Sequence, residues 1–329
     1  MARAWHLASR PDGMPTIDNF ALKPLPDMPL AEGQARVRNL WLSVDPYMRG
    51  RMNDVKSYVP PFKLGAPMEG GAVGEVIESR NPAFAPGDKL LHMAGWRDEA
   101  VIGAETMAQK LPALGVPDET WLHNLGLTGG TAYFGLLRVA EAKAGDTVFV
   151  SAAAGAVGSA VVQIAKLKGM TVIGSAGGAA KCAWVRELGA DACIDYKAGD
   201  VLPQLAVAAP EGIDVYFDNV GGEHLDAAFA LARQNARFAI CGMIDRYNDG
   251  GALTLKYLIR TIPARIRMQG FIYTDFLAEL PAFVQEMAGW VLAGKVTART
   301  TVHEGLDSMV DAFLGLFSGA NTGKMLVRI

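Results

Sequence analysis

The stretch Asp146–Lys168 reads DTVFVSAAAGAVGSAVVQIAKLK, and the order of its patterns decides the fold. Thr147 to Val150 is a short apolar run with β-branched and aromatic residues, the pattern of a buried parallel strand. Small residues fill the turn from Ser151 to Gly158. Beyond it Val157, Val161, Ile164, Ala165 and Leu167 recur at helical spacing. Ala153, Gly155 and Gly158 thereby take the three small positions of a G-x-G-x-x-G fingerprint, with alanine in place of the first glycine. Such residues let the backbone turn tightly, admit a pyrophosphate and pack a helix close to a strand, while the helix N-terminus offers free N–H groups to the phosphates. Gly155, Ala156, Val157 and Gly158 are therefore candidate phosphate-binding residues. A ligand-free Gly/Ala packing turn is the alternative; strand, motif and helix in this order favour a dinucleotide.

The kind of dinucleotide is set about twenty residues further on, where an acidic side chain would bond the ribose 2′-hydroxyl of NAD. Thr171 to Gly174 reads as the second strand, and Ser175 stands at its end in place of a carboxylate. No acidic residue follows before Arg186, while Lys181 is available to pair with a 2′-phosphate. Lys181 could instead be a solvated lysine in the first turn of a helix. The pattern favours NADPH over NADH.

Further alternation follows. A helix spans Lys181 to Leu188 and ends at Gly189, Ala192 to Ile194 is a strand, and Asp195-Tyr196-Lys197 lies at its carboxyl end. Another strand, Ile213 to Phe217, leads into Asp218-Asn219-Val220-Gly221-Gly222; Glu223 to Ala232 is helical, and Arg237 to Cys241 is a strand ending at Gly242. Strands alternating with helices imply a doubly wound parallel sheet, whose ligands bind beyond the carboxyl ends of the strands. Tyr196, Asn219, Cys241, Gly242, Met243, Ile244 and Tyr247 fall on that side.

The chain has 329 residues, more than one average domain holds. Half of them are hydrophobic (50%) and a fifth charged (20%), an ordinary globular composition. A net charge of −3 gives no support to nucleic-acid or membrane-surface binding. Met1 to Gly13 lacks the apolar core of a secretory signal, and the apolar run from Val148 is interrupted by Ser151, Ser159 and Gln163, so neither export nor a membrane span is expected. The three cysteines, Cys182, Cys193 and Cys241, read as reduced thiols of a cytoplasmic protein. From Arg3 to Leu111 the pattern changes to short strands with Gly/Pro punctuation, among them Gln34–Leu42, Gly70–Ser79, Lys89–Ala94 and Ala100–Gly103; strands return near Thr300 and from Lys324 to Ile329. The expected organisation is a β-rich domain over residues 1–120, a Rossmann domain over 121–294, and a return to the β-rich domain over 295–329.

This order resembles the medium-chain dehydrogenase/reductase superfamily, with a Rossmann domain inserted in a GroES-like one. Val44-Asp45-Pro46-Tyr47-Met48-Arg49, the Ala152–Gly158 turn, and Asn321 with Gly323-Lys324 look like its zinc-independent double-bond reductases, the group of prostaglandin, alkenal and bacterial curcumin reductases. Tyr58-Val59-Pro60-Pro61-Phe62 is similar to the curcumin-reductase branch. The resemblance implies NADPH-dependent reduction of the C=C bond of small α,β-unsaturated ketones and aldehydes, and a homodimer. It further implies that Gly155 to Gly158 cradle the pyrophosphate, Lys181 and Tyr196 hold the 2′-phosphate end, and Asn219 the ribose or linking phosphates. Cys241 to Tyr247 would line the nicotinamide side, Phe271, Ile272 and Tyr273 would reach the carboxamide, and Asn321 would close over the cofactor. Asn321 could also be a simple turn residue before Gly323. The zinc branch of the superfamily needs a Cys/His/Cys set; here Met68 of Pro67-Met68-Glu69 stands where its histidine ligand would be, and the five histidines are scattered, so no metal is expected.

Without a metal, the enolate oxygen needs a hydrogen-bond donor and the α-carbon needs a proton from tyrosine, water or a ribose relay. Tyr47, Tyr58 and Tyr247 are the candidate catalytic residues; packing, loop surface and ligand wall are their respective alternatives. The tyrosine that related prostaglandin reductases carry ahead of their M-x-G-F motif is replaced here by Pro263, and Tyr257 is too far upstream to take over its role. Two other functions fit the same pattern: an NADPH quinone reductase, against which the Val44–Arg49 segment argues, and a non-catalytic NADPH-binding protein like the crystallins of this superfamily.

Overall fold

Short strands punctuated by glycine and proline build the first of two units into which the chain divides, Met1–Leu122 together with Thr300–Ile329; a computed structural model describes all residues, 1–329. Strands β1 (Arg3–Leu7) and β2 (Phe20–Pro24) pair antiparallel. The larger sheet begins with β3 (Ala35–Ser43), after which one helical turn, α1 (Tyr47–Arg51), leads toward β4 (Ala72–Ser79), β5 (Lys89–His92), β6 (Glu99–Ile102) and β7 (Ala108–Lys110). Strand β4 lies between β3 and β5, β7 extends the far edge, and β6 pairs with the start of β3, all antiparallel.

The second unit, His123–Arg299, is the doubly wound one. It opens with α2 (Leu127–Phe134), which widens into a π turn over Gly135–Val139. Then follow β8 (Thr147–Val150), α3 (Ala156–Leu167), β9 (Thr171–Ala176), α4 (Ala179–Glu187), β10 (Ala192–Asp195), α5 (Val201–Ala208), β11 (Ile213–Asp218), α6 (Gly222–Leu231), β12 (Ala232–Ile240), α7 (Thr261–Ala264), β13 (Arg267–Gly270) and α8 (Leu280–Leu292). Six parallel strands run in the order β10-β9-β8-β11-β12-β13. The order reverses direction between β8 and β11, the switch point at which such sheets bind ligands. Phe149, Tyr216 and Phe238, all buried on neighbouring strands, stack or meet edge to face beneath α5 and α6.

After the second unit the chain returns to the first as β14 (Thr300–Glu304), α9 (Met309–Ser318) and β15 (Lys324–Arg328). Strand β15 pairs antiparallel with β3 and parallel with β14. Helix α9 delivers Phe313 edge-on to the ring of Trp96 at 5.7 Å, Phe20 stacks on Trp96 at 5.9 Å, and Phe313 and Phe20 meet edge to face at 6.1 Å, so the three rings pack against one another. The indole N–H points at the sulfur of Met48, 3.4 Å away, so α1 is anchored in this aromatic core by its second residue. Gly70 leaves the room that the Met48 methyl group fills.

One ion pair in this unit is fully enclosed. The Lys324 ammonium donates to an Asp45 carboxylate oxygen at 2.7 Å and to the Val44 carbonyl at 2.8 Å, with side chains only 3% and 7% exposed. The second Asp45 oxygen accepts the Ser43 hydroxyl. The last strand thus fixes the segment that immediately precedes α1. Breaking a buried pair from one side leaves an uncompensated charge and costs about 3–5 kcal/mol. Lys324→Met should lose on that order of stability in denaturant unfolding, and Asp45→Asn in the same chain should restore part of it; full stability in the single variant would show that the pair is not confining Asp45.

Candidate functional site

The phosphate-binding turn is built by steric necessity. Ala152 takes a left-handed conformation at φ 47°, a position usually left to glycine, and its carbonyl accepts the Gly155 N–H at 2.8 Å. A Cβ on Gly158 would run into that same carbonyl, closer than real Cβ atoms come, which is why α3 can start only with glycine there. Gly155 is the extended cap of α3, with no side chain bonded over it and no acidic residue in the first turn. The first-turn amides of a helix have no partners within it. With nothing capping this one, those of Ala156, Val157 and Gly158 suit a pyrophosphate, and the residues present fit a dinucleotide.

At the neighbouring strand end one expectation needs correcting. Strand β9 runs two residues further than its apolar run, to Ala176, so Ser175 lies inside it and is completely buried. Its hydroxyl bonds the Nε2 of His224 on α6 at 2.8 Å and does not face the cofactor side. The loop that does begins at Gly177. A Cβ on Gly177 would fall 2.6 Å from the Tyr196 hydroxyl and 3.0 Å from Lys197 Cε. Lys181, on the first turn of α4, is partly buried and close enough to Lys197 that burial and then this like charge hold its ammonium below the ordinary lysine range. Asp195 is kept out of the way: its Oδ1 accepts the backbone N–H groups of Gly178 and Lys197 at 2.8 and 3.0 Å. Lys181, Tyr196 and Lys197 therefore gather around Gly177, and only the lysine at 197 was not singled out in the sequence.

At the end of β11, Asp218 organises the adjacent turn. One carboxylate oxygen accepts the Tyr216 hydroxyl, the Ser151 hydroxyl and the N–H groups of Val220 and Gly221, while the other is buried without a partner. Burial raises its pKa against those bonds. Asn219 spends one of its two side-chain N–H groups on the Ser151 carbonyl at 2.8 Å, which leaves the other N–H and the amide oxygen for a ribose. The loop after β12 follows: Cys241 and Gly242 donate to the Asp218 carbonyl, Met243 covers Gly221, and the Tyr247 hydroxyl lies over Gly242. Burial and then the Asp218 carboxylate push the Cys241 thiol up to about 12, which keeps it neutral.

Helix α2 supplies a part of the site that the sequence did not signal. The Tyr273 ring sits against Gly130, and the Phe271 ring sits with Phe217 against Gly135 at the start of the π turn; a Cβ at either glycine would collide with them. Two glycines thereby seat the Phe271-Ile272-Tyr273 segment. Thr128, in the first turn of α2, is buried with an unpartnered hydroxyl.

In the first unit the tyrosines separate by environment. The Tyr47 hydroxyl is buried and has no hydrogen-bond partner. Burial, then the Asp45 carboxylate, push the phenol above its usual range, while Arg51 acts the other way; Tyr58 and Glu69 are also within electrostatic reach. Tyr58 is 60% exposed on the loop after α1. Asn321 donates its side-chain N–H across the turn to the Gly323 carbonyl at 2.8 Å, the turn role. Tyr47, Tyr58 and Asn321 belong to the first unit, and Tyr247 with the remaining candidates to the second. Nowhere do three His, Cys, Asp or Glu side chains converge as a metal-holding group.

Known proteins resemble the chain over its whole length. Residues 3–111 match the family model of the N-terminal domain of oxidoreductase, and residues 156–289 that of zinc-binding dehydrogenase. The NADPH-dependent curcumin reductase of Escherichia coli is 42% identical, over 99% of this chain and 96% of its own. The NADP⁺-dependent 2-alkenal reductase of Nicotiana tabacum is 40% identical over 92% and 89%. The crystal structure of CurA from Vibrio vulnificus in complex with NADPH superposes with a TM-score of 0.93 at 43% identity, covering 99% and 98% of the two chains.

The buried His224 carries a consequence for stability. Burial holds its imidazole at about 4, against an opposing pull from Asp245. An unfolded chain, with an imidazole near 6.5, binds this proton first, so stability should fall as pH drops from about 6.5 toward 4. His224→Gln, which cannot titrate, should show a shallower fall of the unfolding midpoint across that window; an unchanged slope would mean that the folded imidazole is not held neutral.

Proposed function

Since the chain belongs to the medium-chain dehydrogenase/reductase superfamily, in its double-bond reductase group, we propose that it reduces the C=C bond of α,β-unsaturated ketones and aldehydes with NADPH. The observation that carries this reading is the Tyr47 hydroxyl, buried, neutral and without a partner. A buried donor left unmade costs stability unless a ligand completes it.

When bound, the nicotinamide supplies a hydride to the β-carbon. The chain's own residues do the rest. Gly155 to Gly158 fix the pyrophosphate with backbone N–H groups. Lys181, Tyr196 and Lys197 meet the 2′-phosphate, relieving the repulsion between two ammonium groups. Phe271 to Tyr273, seated on Gly135 and Gly130, orient the carboxamide through backbone groups. Tyr47 donates a hydrogen bond to the carbonyl oxygen, where the negative charge of the enolate develops. A donor already desolvated needs no reorganisation at that moment. Tyr58 covers the substrate from the loop after α1, and Tyr247 forms a wall on the nicotinamide side. We assign the first unit to the substrate and the second to the cofactor.

We further read the chain as a cytoplasmic protein that pairs with a second copy of itself. No helix is long and apolar enough to cross a membrane. Strand β13 is an open edge of the six-stranded sheet, exposed along its length with Met268 within it, and Leu258, Ile259 and Ile262 are exposed in the segment that precedes it in sequence. Such an edge favours pairing with a second copy.

Two variants test the chemistry. Tyr47→Phe should lower kcat for an enone by on the order of a hundredfold, the scale of losing one oxyanion donor, with little change in NADPH affinity. A raised KM at constant kcat would demote Tyr47 to a substrate wall. Lys181→Ala should raise the KM for NADPH by about tenfold or more and leave that for NADH nearly unchanged, as expected of a group that reads only the 2′-phosphate. Equal losses with both would remove Lys181 from that role.

A further inference from the structure

Arg51 is the last residue of α1, four after Tyr47, so the two side chains share one face of the turn. Although charged, it is 7% exposed. Its Nε donates to the Pro60 carbonyl at 2.9 Å, and a terminal nitrogen donates to Glu69 at 2.7 Å. The guanidinium lies over the Phe62 ring, 4.1 Å from its centroid, and the Arg51 carbonyl accepts the Phe62 N–H at 2.7 Å. One side chain therefore ties down the far end of the Tyr58 loop and sets a positive charge beside the Tyr47 phenol. The other groups facing that phenol are Asp45, Tyr58 and Glu69. Asp45 is compensated by Lys324, and Glu69 is half exposed to solvent.

We propose that Arg51 is a positioning residue with two separable functions: its charge strengthens Tyr47 as the donor to the enolate, and its planar fork holds the loop that covers the substrate. The inference rests on the enone-reductase reading above. As Tyr47 shares or gives up its proton, negative charge grows on the phenol oxygen, and a nearby buried cation stabilises that charge more than the ground state. Lysine would keep the charge but cannot reproduce the fork to Pro60 and Glu69 or the stacking on Phe62.

The test uses the full-length protein, NADPH and a simple enone, and compares Arg51→Lys, Arg51→Met, Tyr47→Phe and the Arg51→Met/Tyr47→Phe double variant. Arg51→Lys should keep kcat within about twofold and raise the enone KM several-fold, because only the loop contacts are lost. Arg51→Met should also lower kcat, by about tenfold, a fraction of what a positioned acid contributes. That kcat loss should disappear in the Tyr47→Phe background, since it acts through the hydroxyl. Additive losses in the double variant would overturn the proposal and leave Arg51 a structural residue. So would an equal kcat loss in Arg51→Lys and Arg51→Met. If Arg51→Met fails to fold, the kcat and KM of Arg51→Lys decide alone: a kcat loss of tenfold or more with the charge retained would overturn it. Failure of the underlying reading looks different, as the unmodified chain would then consume no NADPH with any enone.

Discussion

A buried ammonium meeting a buried carboxylate is the constraint on which the first unit turns. Lys324 and Asp45 are both removed from water, where each alone would be costly, and their pairing is completed by Ser43 and the Val44 carbonyl. Each of these side-chain polar atoms has a partner, and the bonds tie residues 43–45 to the last strand. Pro46 then enters the helical turn at φ −60°, and the next residue is Tyr47. Met48, locked under Trp96, prevents the turn from rotating. An unpartnered phenol can be kept buried only where its surroundings have no freedom to move and satisfy it.

In the second unit the comparable constraint is closeness of approach. Gly158 lets α3 come down on the turn after β8, and Gly130 and Gly135 let aromatic rings lie directly on the backbone of α2 and of the π turn that follows it. In each case the missing Cβ is replaced by a carbonyl or a ring. Interiors packed at crystal-like density leave no slack to absorb a methyl group there. The surface proposed for the cofactor is thus defined by backbone, with a few charged side chains at the end proposed for the adenosine.

What could be read from the sequence was what is local. The strand, small-residue turn and helix from Thr147 to Leu167 are specified by contiguous residues, and so is the strand–helix alternation that follows. Ser175 lies inside the strand and not at its end because the apolar run stops at Gly174 while the strand continues to Ala176, held by pairing with β10. Period-two alternation along a strand then turns residue 175 toward α6. Helix α2 was missed because Leu-Thr-Gly-Gly-Thr has poor helix propensity; packing against Phe271, Phe283 and Tyr273 forms it instead. Strand β13 was missed for the opposite reason, since Arg-Met-Gln-Gly is exposed throughout and shows no alternation. Asn321 and Asn219 were visible as residues, but their hydrogen bonds to Gly323 and Ser151 depend on turns that no spacing encodes.

The Lys324–Asp45 pair spans 279 positions of sequence, with the whole of His123–Arg299 lying between its partners. Synthesis from the N-terminus therefore delivers the carboxylate long before the ammonium. Domains fold largely as units as they emerge. The second unit is continuous and can close on itself, whereas the first must wait, its sheet lacking β14 and β15 and its Asp45 unpaired. On the ribosome, then, the second unit precedes the unit that carries Tyr47, and the nascent chain passes through a state with one unit complete and the other still open.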